Sequence, residues 1–129
     1  MPSVATDAEL AAWVMNYYQH NPPHWGFDFL AISPGGRITD FFLETTDIPG
    51  GSDEAVEQVI ANEATSSNAI SSLGLVFIFH RKSGPLELTD LDKRHFTRFL
   101  IAAGYYSTPR AMFLKVGTTI KLITGKDLL

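Results

Sequence analysis

Seven apolar residues in a row, Leu73-Gly74-Leu75-Val76-Phe77-Ile78-Phe79, constrain this chain more than anything else in it. Successive side chains of a strand point to opposite faces, so a strand apolar at every position has to be covered on both. The run is strand-sized and well short of the ~18 residues that a membrane helix needs. It ends abruptly at His80-Arg81-Lys82. A sheet with layers on both sides is therefore expected, which is an α/β class of fold.

The rest of the chain supplies those layers. Thr6-Asp7-Ala8-Glu9 reads as a capping box, followed at helical spacing by Leu10, Trp13, Val14 and Tyr17. This predicts a helix from about Asp7 to His20, stopped by Asn21-Pro22-Pro23. Trp25–Ser33 and Ile38–Thr45 flank the turn Pro34-Gly35-Gly36-Arg37 and read as a hairpin. Ser52 caps a second helix, with Val56, Val59, Ile60 and Ala64 on its inner face. Thr89-Asp90-Leu91-Asp92 is another capping box, opening a helix to about Ala103 that Gly104 ends. Ala111–Val116 and Thr118–Ile123 read as two strands about Gly117. The order is α-β-β-α-β-α-β-β, a mixed central sheet flanked by helices. At 129 residues the chain fits one domain, 1–129.

Composition narrows the chemistry. The chain has no cysteine, so any metal site must use His, Asp and Glu. Its 10 basic against 14 acidic side chains leave a net charge of −4, unlike a domain that coats nucleic acid. No basic segment followed by an apolar stretch opens the chain, so it reads as cytoplasmic, with no membrane partner.

The segment from His80 to Asp92 carries the sharpest motif: His80-Arg81-Lys82-Ser83-Gly84-Pro85-Leu86-Glu87-Leu88-Thr89-Asp90-Leu91-Asp92. It follows a buried strand and enters a helix. It resembles the metal-binding segment of the JAB/MPN metalloprotease superfamily, most closely the RadC-like branch, where H-x-H, a Ser-Gly loop and S-x-x-D follow an upstream Glu. The order of elements along the whole chain is similar to that branch too. In active members two His and one Asp hold zinc, the upstream Glu is the general base, and the loop Ser stabilises the oxyanion. The resemblance therefore implies zinc hydrolysis, a bound water being acidified at an open metal position.

Carried over residue by residue, His80 matches the first His, Ser83 and Gly84 the Ser-Gly pair, and Asp92 the Asp. Lys82 stands where the second His belongs, and an ammonium has no lone pair to offer a metal. The loop is one residue short. The position of the Glu falls near Phe41; Asp40 and Glu44 are each an odd number of residues away and so lie on the opposite strand face. The resemblance thus implies a degenerate metal site of His80, Lys82 and Asp92, with Ser83 a catalytic remnant and no cofactor expected. Lys82 is expected to put a fixed positive charge in place of zinc, with Asp92 as its partner.

Three functions compete. The leading one is a non-catalytic JAB/MPN-like binding or scaffolding domain, a pseudoenzyme, partnered by another protein or by itself as a homodimer. The resemblance links it to DNA repair. The second is a zinc hydrolase with rearranged ligands, His80 and Asp92 joined by Glu44 or Glu87. The third is a nucleic-acid accessory protein using Arg81, Lys93, Arg94 and Arg98, of which Arg94 and Arg98 share a helix face. Plainer roles stand beside each: Thr89 and Asp92 as a helix cap, His80 as a buried polar residue, the cations as a solvated face. His20 and His24 are four apart, but Pro22 and Pro23 break the helix that would align them on a metal, and His95 lies apart on the third helix. Tyr105-Tyr106 suit a contact surface.

Overall fold

A computed structural model describes residues 6–20, 26–32, 38–42, 58, 60–62, 74–81, 84–106 and 108–129. Helix α1 is Asp7–His20, strand β1 Gly26–Ile32, β2 Ile38–Phe42 and β3 Gly74–Arg81. Helix α2 is Asp90–Tyr106, followed by β4 Pro109–Val116, β5 Thr119–Ile123 and a 3-10 turn η1, Gly125–Leu128. The strands form one mixed sheet in the order β2-β1-β3-β4-β5. β1 runs antiparallel to β2 and to β3, β3 is parallel to β4, and β4 is antiparallel to β5. The apolar run has become the middle strand.

Strand parity divides the core in two. Leu75 and Phe77 of β3, Met112 and Leu114 of β4, and Phe29 of β1 pack with Phe96, Phe99, Ala102 and Ala103 of α2. On the other face, Val76, Ile78, Phe113 and Leu30 pack with Leu10, Val14 and Tyr18 of α1. The expectation that β3 is covered on both faces is met by a three-layer arrangement, α1 on one side and α2 on the other. Of the expected second helix, residues 58 and 60–62 are helical, and Ile60 is fully buried in the α2-side core. Val56, Val59 and Ala64 lie outside the described residues.

Local chemistry sets several element ends. Glu9 N–H donates to Thr6 Oγ1 at 3.1 Å, as an N-cap should, but the Thr6 hydroxyl, not its backbone, reaches the Glu9 carboxylate at 3.2 Å. Asp7 of that first turn accepts from Arg110 Nη1 of β4 at 2.5 Å, pinning α1 to the sheet. Gly74 is required where β3 meets β4: a Cβ there would stand 2.8 Å from Arg110 Cβ. Gly117 takes a left-handed φ of 57° in the β4–β5 turn.

Three boundaries differ from expectation. Helix α2 runs through Gly104 to Tyr106, because Gly104 keeps a negative φ and the backbone ladder continues across it. β4 begins two residues early at Pro109, since Leu75 N–H bonds the carbonyl of Thr108 at 2.7 Å and sets the pairing there. β5 begins at Thr119, Gly117 and Thr118 forming the turn. The turn η1 was not anticipated, although Thr124-Gly125-Lys126-Asp127 carries the same T-x-x-D pattern as the start of α2. Among the described residues no helix is long and apolar enough to cross a membrane.

Candidate functional site at the carboxyl end of β3

The motif begins where β3 stops being apolar, and there the two faces of the strand diverge. Parity sends His80 to the face of Val76 and Ile78, and Arg81 to the face of Leu75 and Phe77. His80 is buried, 2% exposed, its ring 5.8 Å from that of Tyr18 on α1. Its neighbour across the parallel ladder is Lys115, also buried. Lys115 Nζ donates to the carbonyl of Gly117 at 2.5 Å and stands 5.3 Å from the centre of the Tyr18 ring. A lysine is tolerated at this depth because its charge meets a carbonyl and an aromatic face.

Arg81 organises the opposite face. Its Nη1 donates to Asp92 Oδ2 at 3.0 Å, and its Nη2 to the carbonyls of Pro85 at 3.2 Å and Glu87 at 3.0 Å. The guanidinium carbon lies 5.9 Å from the Phe79 ring centre. The Arg81 carbonyl accepts from Gly117 N–H at 3.1 Å. One side chain thus holds the turn between β3 and α2 against both elements.

Asp92 has two duties. Its Oδ2 accepts from Thr89 N–H at 3.0 Å, and its own N–H donates to Thr89 Oγ1 at 3.1 Å. Both halves of the capping box are formed, as the T-x-x-D pattern predicts. The same oxygen pairs with Arg81, at a side chain 7% exposed. The cation held by Asp92 among the described residues is therefore Arg81, where Lys82 was expected. Lys82, the remnant Ser83 and Glu44 lie outside the described residues.

This arrangement decides how the residues present fit a metal. His80 faces α1, whereas Asp92 and the Glu87 backbone that Arg81 holds belong to the α2 side. Asp92 Oδ2 already accepts from a guanidinium and a backbone N–H, so a cation at that oxygen would compete with both. Among the described residues no three of His, Asp and Glu come together as a metal-ligand group. Among the described residues, His80, Asp92 and Glu87 do not come together as a zinc site; Lys82, the remaining position of the set that the resemblance implies, lies outside them. Asp40 and Phe41 occupy register positions opposite Ala31 and Leu30 on the edge strand β2, with β1 between them and β3.

The remaining cations lie along α2. Lys93, Arg94 and Arg98, with Thr97, Ile101 and Leu128 of η1, line a groove of about 410 Å³. Lys93 Nζ reaches the main-chain oxygen of Leu129 at 3.4 Å. Arg81, grouped with them on sequence, is turned inward to Asp92. Asp127, beside Leu128 in η1, accepts from Thr124 N–H at 2.8 Å and from the Thr124 hydroxyl at 3.2 Å. The Thr124 backbone bond holds its carboxyl below the usual aspartate value, with further help from the hydroxyl and from the Lys121 charge. Ile101 and Tyr105 are the exposed apolar residues further along α2, at 57% and 82%.

No family model matches the chain, and no curated protein matches it significantly.

Proposed function

We propose that this chain is a non-catalytic binding or scaffolding domain, built on a JAB/MPN-like frame of the RadC-like kind whose metal centre has been replaced by a structural ion pair. One observation supports the reading above the others: Oδ2 of Asp92, the best match to a metal ligand, accepts from the Arg81 guanidinium and from the first turn of α2. A zinc ion at Oδ2 would compete with a mostly buried guanidinium for its charge partner, and breaking such pairs costs several kcal/mol. The retained Thr89 and Asp92 then keep the turn in shape, while the outward side of α2, with its cations, Ile101 and Tyr105, is the surface on offer to a partner.

Elemental analysis of the purified protein, with and without added zinc, tests the reading together with an isopeptide and peptide hydrolysis assay. Less than stoichiometric zinc and no hydrolysis sensitive to chelator are expected. Stoichiometric zinc accompanied by chelator-sensitive cleavage would overturn it.

A further inference from the structure

The outer edge of the rim strand β5 is set by the turn before it. Gly117 takes a positive φ and Thr118 does not, the II′ pattern of a two-residue hairpin turn. Val116 and Thr119 close that turn as a hydrogen-bonded pair, and such pairs alternate along an antiparallel ladder. Leu114 with Lys121 and Met112 with Ile123 are therefore bonded across it, whereas the N–H and C=O of Ile120 and Leu122 point away from β4. Among the described residues no strand lies beyond β5 to take those four groups. Natural rims are usually blunted by proline, a bulge or charge. Thr119-Ile120-Lys121-Leu122-Ile123 has no proline, and its register with β4 is unbroken, unlike that of β1 with β2, which shifts between Ala31 and Ile32. Leu128 of the following turn η1 packs on the α2-side core.

An open rim takes an extended backbone. The least costly one is a strand already held in shape, since a flexible peptide gives up conformational entropy on ordering. A second copy offers such a strand in β5 itself, and antiparallel pairing about a two-fold axis has few registers on five residues. Centred on Lys121, it sets like charges directly opposite. Centred on Leu122, it needs Thr124, whose N–H donates to Asp127 Oδ2 at 2.8 Å and whose C=O accepts from Asp127 N–H at 3.0 Å. Centred on Thr119, it runs Leu122 past the turn of the other copy. Centred on Ile120, it pairs Ile120 with itself, Leu122 with Thr118 and Lys121 with Thr119 of the second copy, and opposes no charges. We propose that β5 pairs in this last register with β5 of a second copy, joining two five-stranded sheets into one of ten strands. The interface is small, so the dimer is weak and reversible. Head-to-tail pairing of β5 with β2 would instead leave rims open and would not close. Pairing at this rim uses neither Asp92 nor the outward side of α2, so a monomer would leave the zinc and hydrolysis outcomes untouched.

Sedimentation equilibrium of the full chain, from about 10 µM to about 1 mM, tests this, with amide hydrogen exchange at both ends of that range. Half-association within the range is expected. The amides of Ile120 and Leu122 should gain protection on association, while those of Lys121 and Ile123, already bonded to β4, change little. Thr119 is exposed, so its variants leave the core alone. Thr119→Glu meets Lys121 of the other copy twice and should tighten the dimer about fivefold, against the rise in a net charge that is already −4. Thr119→Lys should weaken it by about as much. A chain that stays monomeric up to about 1 mM overturns the proposal. So does a dimer unmoved by both variants, one whose protection appears on α2 and not at Ile120 and Leu122, or assembly beyond the dimer.

Discussion

The two faces of β3 are built from the same unbroken run, yet they are covered by different chemistry. The α2 face is aromatic. Phe77 stacks on Phe99 at 4.9 Å and 15°, meets Phe96 edge-on at 5.3 Å and 79°, and touches Phe29 at 5.3 Å. Phe79 continues the series to Phe96 and to His95. The α1 face is aliphatic in its middle, Val76 and Ile78 against Leu10 and Val14, and ends in the buried polar pair of positions His80 and Lys115 beside Tyr18. Both faces thus close on charge at the carboxyl end of the strand. They close differently: a salt bridge to a helix cap on one side, a cation over an aromatic ring on the other. The difference teaches that a motif contiguous in sequence need not be contiguous in space, because a strand deals alternate residues to opposite layers.

The comparison is broken most severely at its centre. Phe77→Ala removes the ring on which three others pack, and a loss of about 4 kcal/mol in denaturant-unfolding free energy is expected. A loss below about 2 kcal/mol would mean that the aromatic face is less tightly packed than its geometry indicates. The middle effect lies at the salt bridge. Asp92→Ala should cost about 2–3 kcal/mol, since it deletes a helix cap and strands Arg81 together. A cycle with Arg81→Met separates the two: the double variant should recover part of the loss, because no unpaired guanidinium remains. Strict additivity would deny the coupling. The smallest effect is on the α1 face. Lys115→Met keeps a side chain of similar length and removes a charge that meets a carbonyl and a ring, so a change within about 1 kcal/mol is expected. A loss as large as that of Asp92→Ala would make the two closures equivalent.

Much of the architecture could be read from particular residues. The seven-residue run told of a strand with two covered faces, the Thr6 and Thr89 boxes marked two helix starts, and Gly117 marked the last turn. Gly104 misled because glycine ends helices only where the chain turns to positive φ, and here it does not. The site was harder. His80 and Asp92 could be picked out by type and spacing, but the partner of Asp92 depends on which helix covers which face. Arg81 shares parity with Phe77 and Phe79, and a parallel β3–α2–β4 crossover brings the start of α2 back over one face only. Parity alone names Arg81 as a candidate for Asp92, yet nothing in the spacing says whether α1 or α2 lies on the odd face. The groove residues on α2 were legible as an i,i+4 cation pair; the part played by Leu128 was not, because it reaches the groove from η1.

The position of β3 has a consequence for motion. It is hydrogen-bonded on both edges, antiparallel to β1 and parallel to β4, and both faces are roofed. Its amides therefore open only when the sheet as a whole comes apart, whereas β2 and β5 at the rims each lose protection by letting go of a single neighbour. The carboxyl end that carries His80 and Arg81 thus belongs to a strand held on both edges, where slow amide exchange is expected, while the rim strands β2 and β5 breathe.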